Sequence, residues 1–301
     1  MEITNLLSAD IQKAPTWFHE SIINKPRQET IQDPLGNLSY QVWDRENTDR
    51  IIVLIHGTGA HKKWWDPIAP MLDKQSIIIA PDLPGMGESD HRNEYNFESF
   101  AEGIKAILIK ENSNAEPKKI YLVGHSLGGH VAGFIATEMP EIISGVIMID
   151  SPIRPPSYDY ENHLSTGPLR KIKYYEDKVS ILNRFRLMPP QECENAWYLR
   201  YIAEHSVLEV NEGWRWRFDD KLFATLQRLG KYEFKFQCPN LFIAGGTSLL
   251  LNSKITEYIK EHFKETMSYE VIKHAAHHVP LDAPLELCAL INKYVDRWGA
   301  K

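Results

Sequence analysis

The chain has 301 residues, 43% of them hydrophobic, and a formal charge of −6 with Lys and Arg spread throughout. That is enough apolar material for a large core, and it excludes the basic stripe or tail of a nucleic-acid binder. No stretch approaches the roughly 18 apolar residues of a membrane span, and the opening M-E-I-T-N-L-L-S lacks the basic-then-apolar pattern of a signal peptide.

Residues 1–27, with Pro15 and Pro26, read as an arm or short helix lying over something else. Residues 28–44 read as a hairpin, because Leu38, Tyr40 and Val42 alternate with polar neighbours after the turn D-P-L-G-N. I-I-V-L-I from Ile51 is short, β-branched and apolar throughout, the pattern of a strand covered on both faces. Similar runs start at Ser76, Lys119, Gly145 and Asn240, with a weaker one at Ser268. Segments of helical period separate them: one around residue 68 (W-W-D-P-I-A-P-M-L), one from Phe97, one from Leu127, and a last helix from about Leu281 to Trp298. This alternation predicts an α/β fold, a mostly parallel sheet with helices on both faces. Residues 152–236 break the rhythm, with proline clusters, short helical candidates and many aromatics but no buried strand run. They are too long for a plain loop and read as a helical cap inserted into a core made of residues 1–151 and 237–301.

G-H-S-L-G, Gly124 to Gly128, follows the strand I-Y-L-V and opens the helix from Leu127. The pattern is weak alone, but this context suits a sharp turn that exposes Ser126 over a helix N-terminus. The competing reading is a glycine-rich turn whose serine only caps the helix. Together with H-G-T-G at His56 to Gly59, P-D-L-P-G-M-G-E-S at Pro81 to Ser89, and a late histidine before V-P-L-D-A-P, the chain resembles the α/β-hydrolase fold enzymes over nearly its whole length. The resemblance implies a nucleophile at the elbow. Serine there argues against the aspartate-dependent haloalkane dehalogenases and epoxide hydrolases and for a serine hydrolase.

The resemblance places an acid five residues and a proline seven residues beyond the catalytic histidine. From His277 these are Asp282 and Pro284; from His278 they would be Ala283 and Leu285, so His277 is the expected base. The role needs an imidazole able to take and return a proton near neutrality. Many members carry the orienting acid after the strand that follows the insert, but here that place holds Thr247, Ser248 and Leu249. The second arrangement, seen in one type of haloalkane dehalogenase and in pancreatic-type lipases, puts it at the end of the preceding strand, where this chain has Asp150. Asp159 and Glu257 are the alternatives, and Asp150 could instead cap the first turn of the insert. Asp282 resembles a helix-start residue, and Asp82 is expected to structure the P-D-L-P-G turn.

Oxyanion donors are expected from the N–H groups of Leu127 and, by resemblance, Thr58, with His56 and Gly57 allowing close approach. Pocket candidates are Trp64 or Trp65 (the sequence does not separate them), His125, Pro152, Trp214 and Trp216. The last two alternate with arginines, suggesting an extended piece, and either could simply glue the cap to the core. Arg154, Arg184 and Arg186 permit an anionic substrate without indicating one. The expected function is hydrolysis of an ester, or a related acyl bond, of a small and largely apolar molecule. Carbon–carbon, lactone or thioester cleavage on the same triad is the first alternative, and a non-catalytic binding protein the second. No metal or organic cofactor is needed. Cys193, Cys238 and Cys288 fit neither a disulfide framework nor a zinc pattern and suggest a reducing cytoplasm; the chain would be a monomer or homodimer.

Overall fold

The computed structural model describes residues 11–46, 48–113, 118–159 and 173–300. Residues 1–10 of the expected arm and 160–172 of the expected insert lie outside them. Eight strands form one sheet: β1 (Arg27–Asp33), β2 (Gly36–Trp43), β3 (Arg50–Ile55), β4 (Ser76–Pro81), β5 (Lys119–His125), β6 (Gly145–Ile149), and, after the insert, β9 (Asn240–Gly245) and β10 (Met267–Ile272). The insert itself carries β7 (Val207–Val210) and β8 (Gly213–Trp216). The sheet order is β1-β2-β4-β3-β5-β6-β9-β10. The β1–β2 and β2–β4 pairs are antiparallel and all others parallel.

The apolar strand runs are buried because helices cover both faces. On one side α2 (Phe97–Glu111) and α3 (Leu127–Glu138) set Phe100, Ile104, Val131 and Ile135 against Val53, Leu122 and Met148. On the other, Leu287, Ile291 and Val295 pack on Ile52, Val123 and Ile147 with Trp65 and Ile68. The parallel strands end nearly level, with Ile55 opposite Gly124, His125 opposite Ile149, and Gly245 opposite Ile272. The loops after β3, β5, β6, β9 and β10 therefore emerge along one edge, the usual place for ligands in an open parallel sheet.

Two helical expectations change. Around residue 68 the backbone makes two 3-10 turns, Lys62–Trp65 and Ala69–Met71, because Pro67 and Pro70 have no N–H to donate to a longer helix. The C-terminal helix is split. A single turn, Val279–Asp282, ends at Ala283, which Pro284 forces out of helical geometry before the run Pro284–Gly299 begins.

The interval 152–236 differs from a purely helical insert. Its described part has the helices Lys178–Leu182, Ala196–His205 and Leu222–Thr225, and also the antiparallel pair β7–β8. Ile181, Leu182, Leu199 and Ile202 form a further apolar cluster, which also takes in Trp64, Leu281 and Phe18 of α1, the N-terminal helix Thr16–Ile23. Phe18 packs edge-on against Trp197 and Tyr201, so the N-terminal segment lies over the insert. Trp216 ends β8, and beyond it Phe218 bridges to Met86 in the P-D-L-P-G-M-G turn. No helix among the described residues is long and apolar enough to cross a membrane.

Candidate active site

Ser126 sits between β5 and α3 at φ 55 and ψ −118, a conformation unfavourable for any residue with a Cβ and worth about 1–3 kcal/mol of strain. Its surroundings enforce it. A Cβ on Gly124 would lie 2.0 Å from the carbonyl oxygen of Gly128, and one on Gly128 would lie 2.2 Å from that of Ile55. Only glycine lets strand and helix approach this closely. The Ser126 N–H donates to Ile149 O at 3.0 Å, tying the elbow to β6.

Asp150 follows β6 and is, with Ser126, one of two non-glycine residues at positive φ (45°) among the described residues. It has no solvent exposure. Oδ1 accepts the Gly245 N–H at 2.8 Å, and Oδ2 accepts both the Ser248 hydroxyl at 2.6 Å and His277 Nδ1–H at 2.7 Å. His277 is 2% exposed. With Nδ1 held by the carboxylate, Nε2 is the nitrogen left to exchange a proton. Of the acids weighed from sequence, Asp150 is the one bonded to His277; Asp159 and Glu257 are exposed. Asp282 takes a different part, accepting from Ala276 N and from both sides by Gln191 Nε2, and so shapes the histidine loop. Asp82 pairs with the buried Lys62 at 3.0 Å and accepts its backbone N–H, which pins the loop after β3 to the P-D-L-P-G turn.

That loop passes against the elbow. A Cβ on Gly57 would be 3.2 Å from Ser126 Cβ. His56 fixes it with a neutral ring: Nδ1–H donates to Gly57 O at 2.8 Å and Nε2 accepts the Leu83 N–H at 3.0 Å, while burial lowers its pKa. Thr58 is exposed at the loop's tip, and Leu127 is the first residue of α3. His61 turns away, its Nε2 meeting the Ser206 hydroxyl at 2.9 Å.

Trp64 and Trp65 separate cleanly. Trp65 is in the sheet core, whereas Trp64, buried in the cluster that includes Phe18 and Ile202, stacks on His125 at 6.4 Å and leans on His278 at 5.6 Å. His125 donates from Nε2 to His277 O at 2.9 Å, and its ring lies 4.8 Å from that of His277. Burial, then the neighbouring histidines, push the His125 pKa well down; burial, then His277, push His278 to about 3. Both rings are neutral near pH 7. One nitrogen from each of His125, His277 and His278 lies within 4.8 Å of the others, the one group among the described residues suited to a metal ion. Pro152 is buried, with its carbonyl accepting from His130 Nε2. Trp216 has Tyr175 and Phe185 as ring partners, and Trp214 carries Lys178 over its face, so both belong to the insert's own packing. Arg184 and Arg186 are exposed, and Arg154 lies over Tyr158.

Three residues that sequence reasoning missed hold this arrangement. Ser248 stands where the resemblance expects an acid, and its hydroxyl at that place is the available signal. Gln191 bridges the insert to the histidine loop, its Oε1 accepting the His278 N–H at 2.9 Å. Asn195 donates to Leu281 O at 2.6 Å. Neither had a sequence signal.

The family profile described as "Alpha/beta hydrolase family" matches residues 52–290. An uncharacterized protein of Mycobacterium tuberculosis is 35% identical over 101 residues, 33% of this chain and only 28% of that protein's length. The pimeloyl-[acyl-carrier protein] methyl ester esterase of Wigglesworthia glossinidia brevipalpis is 24% identical over 82% of this chain and 94% of its own. Among solved structures, an esterase from Mycobacterium tuberculosis superposes with a TM-score of 0.70 at 20% identity, covering 98% of this chain and all of that one, a likeness of fold.

Proposed function

The chain belongs to the alpha/beta hydrolase family, and from that premise we propose that it is a serine hydrolase cleaving a carboxylic ester, or a related acyl bond, of a small and largely apolar substrate through an acyl-enzyme. Ser126 Oγ attacks the carbonyl carbon while His277 Nε2 takes its proton. Asp150 keeps the proton on Nδ1 and stabilises the imidazolium. The tetrahedral oxyanion rests between the N–H groups of Leu127 and Thr58. His277 returns the proton to the departing alkoxide, and a water, deprotonated by the same nitrogen, releases the acid and regenerates Ser126. Residues 152–236 act as a cap over this edge of the sheet, with Trp64 forming part of the apolar wall.

The observation that carries the reading is the buried 2.7 Å contact between Asp150 and His277, set beside a serine held at positive φ. The relative named as a methyl ester esterase supports the ester as the bond attacked. A fluorophosphonate probe should label Ser126, and Ser126→Ala should abolish both labelling and turnover of p-nitrophenyl esters. Labelling that survives Ser126→Ala would end the proposal.

A further inference from the structure

Three buried histidines meet where the proposed chemistry uses one. His278 is 5% exposed, and neither of its ring nitrogens makes a hydrogen bond of good geometry, the backbone of Met188 and Pro189 lying beside the ring. An unpaired buried polar atom costs about 1–3 kcal/mol, and the hydrolytic reading gives His278 nothing to do. His125 keeps Nδ1 as its lone-pair nitrogen while Nε2 donates to the His277 carbonyl. The carboxylate of Asp150 on Nδ1 of His277 is the arrangement that, in metal sites, fixes a ligating imidazole and raises its basicity.

We propose that His125, His277 and His278 form an inhibitory site for a borderline transition-metal cation, Zn²⁺ being the type case, which occupies the nitrogen His277 needs for catalysis. Three imidazole nitrogens suit zinc and its neighbours and offer nothing to magnesium or calcium, which require oxygen ligands. Zn–N bonds of about 2.0–2.1 Å put tetrahedral donors about 3.3 Å apart. The nitrogens, now within 4.8 Å of one another, therefore need to close up by at most about 1.5 Å, a movement on the scale of ring rotation. One position is left for water. Binding replaces no bond in the substrate and needs no redox step; it removes a base from use and is reversed by a chelator.

The inhibitory half of this inference rests on His277 being the base, whereas the site itself does not, and the two are read separately. Titration of the chelator-treated full chain with Zn²⁺ in a calorimeter should show one saturable site, with Mg²⁺ giving none. His278→Asn should keep ester turnover and weaken Zn²⁺ by more than about 100-fold, beyond the roughly 10–100-fold lost with an outer-shell partner. Inhibition of the wild type should track the binding isotherm and reverse with EDTA. If His278→Asn does not fold, judged by its thermal melt, His125→Asn read by calorimetry alone carries the same expectation of weakened binding. Absence of saturable Zn²⁺ binding, unchanged affinity in the histidine variants, or full turnover with the site filled would overturn the proposal. A chain without esterase activity that still binds Zn²⁺ through these residues would keep the site and refute only the hydrolase reading.

Discussion

Asp150→Asn is the most searching perturbation of the proposed triad. Asparagine keeps the volume and tolerates the left-handed backbone at φ 45, so the fold has no reason to change. The Gly245 N–H donates to Oδ1, so the amide oxygen settles there. The NH₂ group then replaces Oδ2 and faces His277 Nδ1 and the Ser248 hydroxyl. An N–H pointing at Nδ1 makes that nitrogen the acceptor and moves the imidazole proton to Nε2. His277 can then no longer take a proton from Ser126. The wrong tautomer should lower kcat by about 10³–10⁴-fold, equivalent to about 4–5.5 kcal/mol, with KM little altered. Turnover of a p-nitrophenyl ester panel measures it, with a thermal melt to establish folding. Glu257→Gln, exposed on its helix, serves as the unaffected control. An Asp150→Asn enzyme working within tenfold of wild type would refute the tautomer argument and the choice of acid with it.

Three other outcomes follow from the same geometry. Ser126→Gly relieves a strained backbone and should raise the denaturant midpoint by an amount equivalent to about 1–2 kcal/mol while abolishing turnover; a loss of stability would mean the elbow is unstrained. Lys62→Met strands the carboxylate of Asp82 in a site 1% exposed and should cost about 3–5 kcal/mol in chemical denaturation. His278 titrates near 3 when folded and about 6.5 when unfolded. Its contribution to stability is therefore intact above pH 6.5 and is lost as pH falls toward 3, at up to about 1.4 kcal/mol per pH unit. The stability of His278→Asn should fall correspondingly less steeply between pH 6 and 4.

The strand runs were legible because burial on both faces leaves a local pattern, and the elbow because glycine is the only residue that fits Gly124 and Gly128. Asp150 could be singled out as a candidate because no acid directly follows β9, and its bond to His277 is what the structure adds. What was not legible depends on the third dimension. Whether Trp64 or Trp65 faces the histidines is decided by a 3-10 turn that Pro67 and Pro70 impose, and the helical-period reading hid that turn. The β7–β8 hairpin carries too few residues for its alternation to outweigh the helical signals around it. Ser248 and Gln191 act through single hydrogen bonds to residues far away in the chain, which no spacing rule encodes.

The clasp made by Gln191 ties two events together. Its amide holds both oxygens of Asp282 and the His278 N–H, so the stretch following Phe185 cannot swing outward without slackening the loop that presents His277. Under the proposed reading, in which His277 is the base, a bulky guest that lifted this stretch would detune the base as it entered, whereas a slim one slipping beneath would leave it taut. Discrimination by size would therefore register in the speed of bond breaking more than in the tightness of capture.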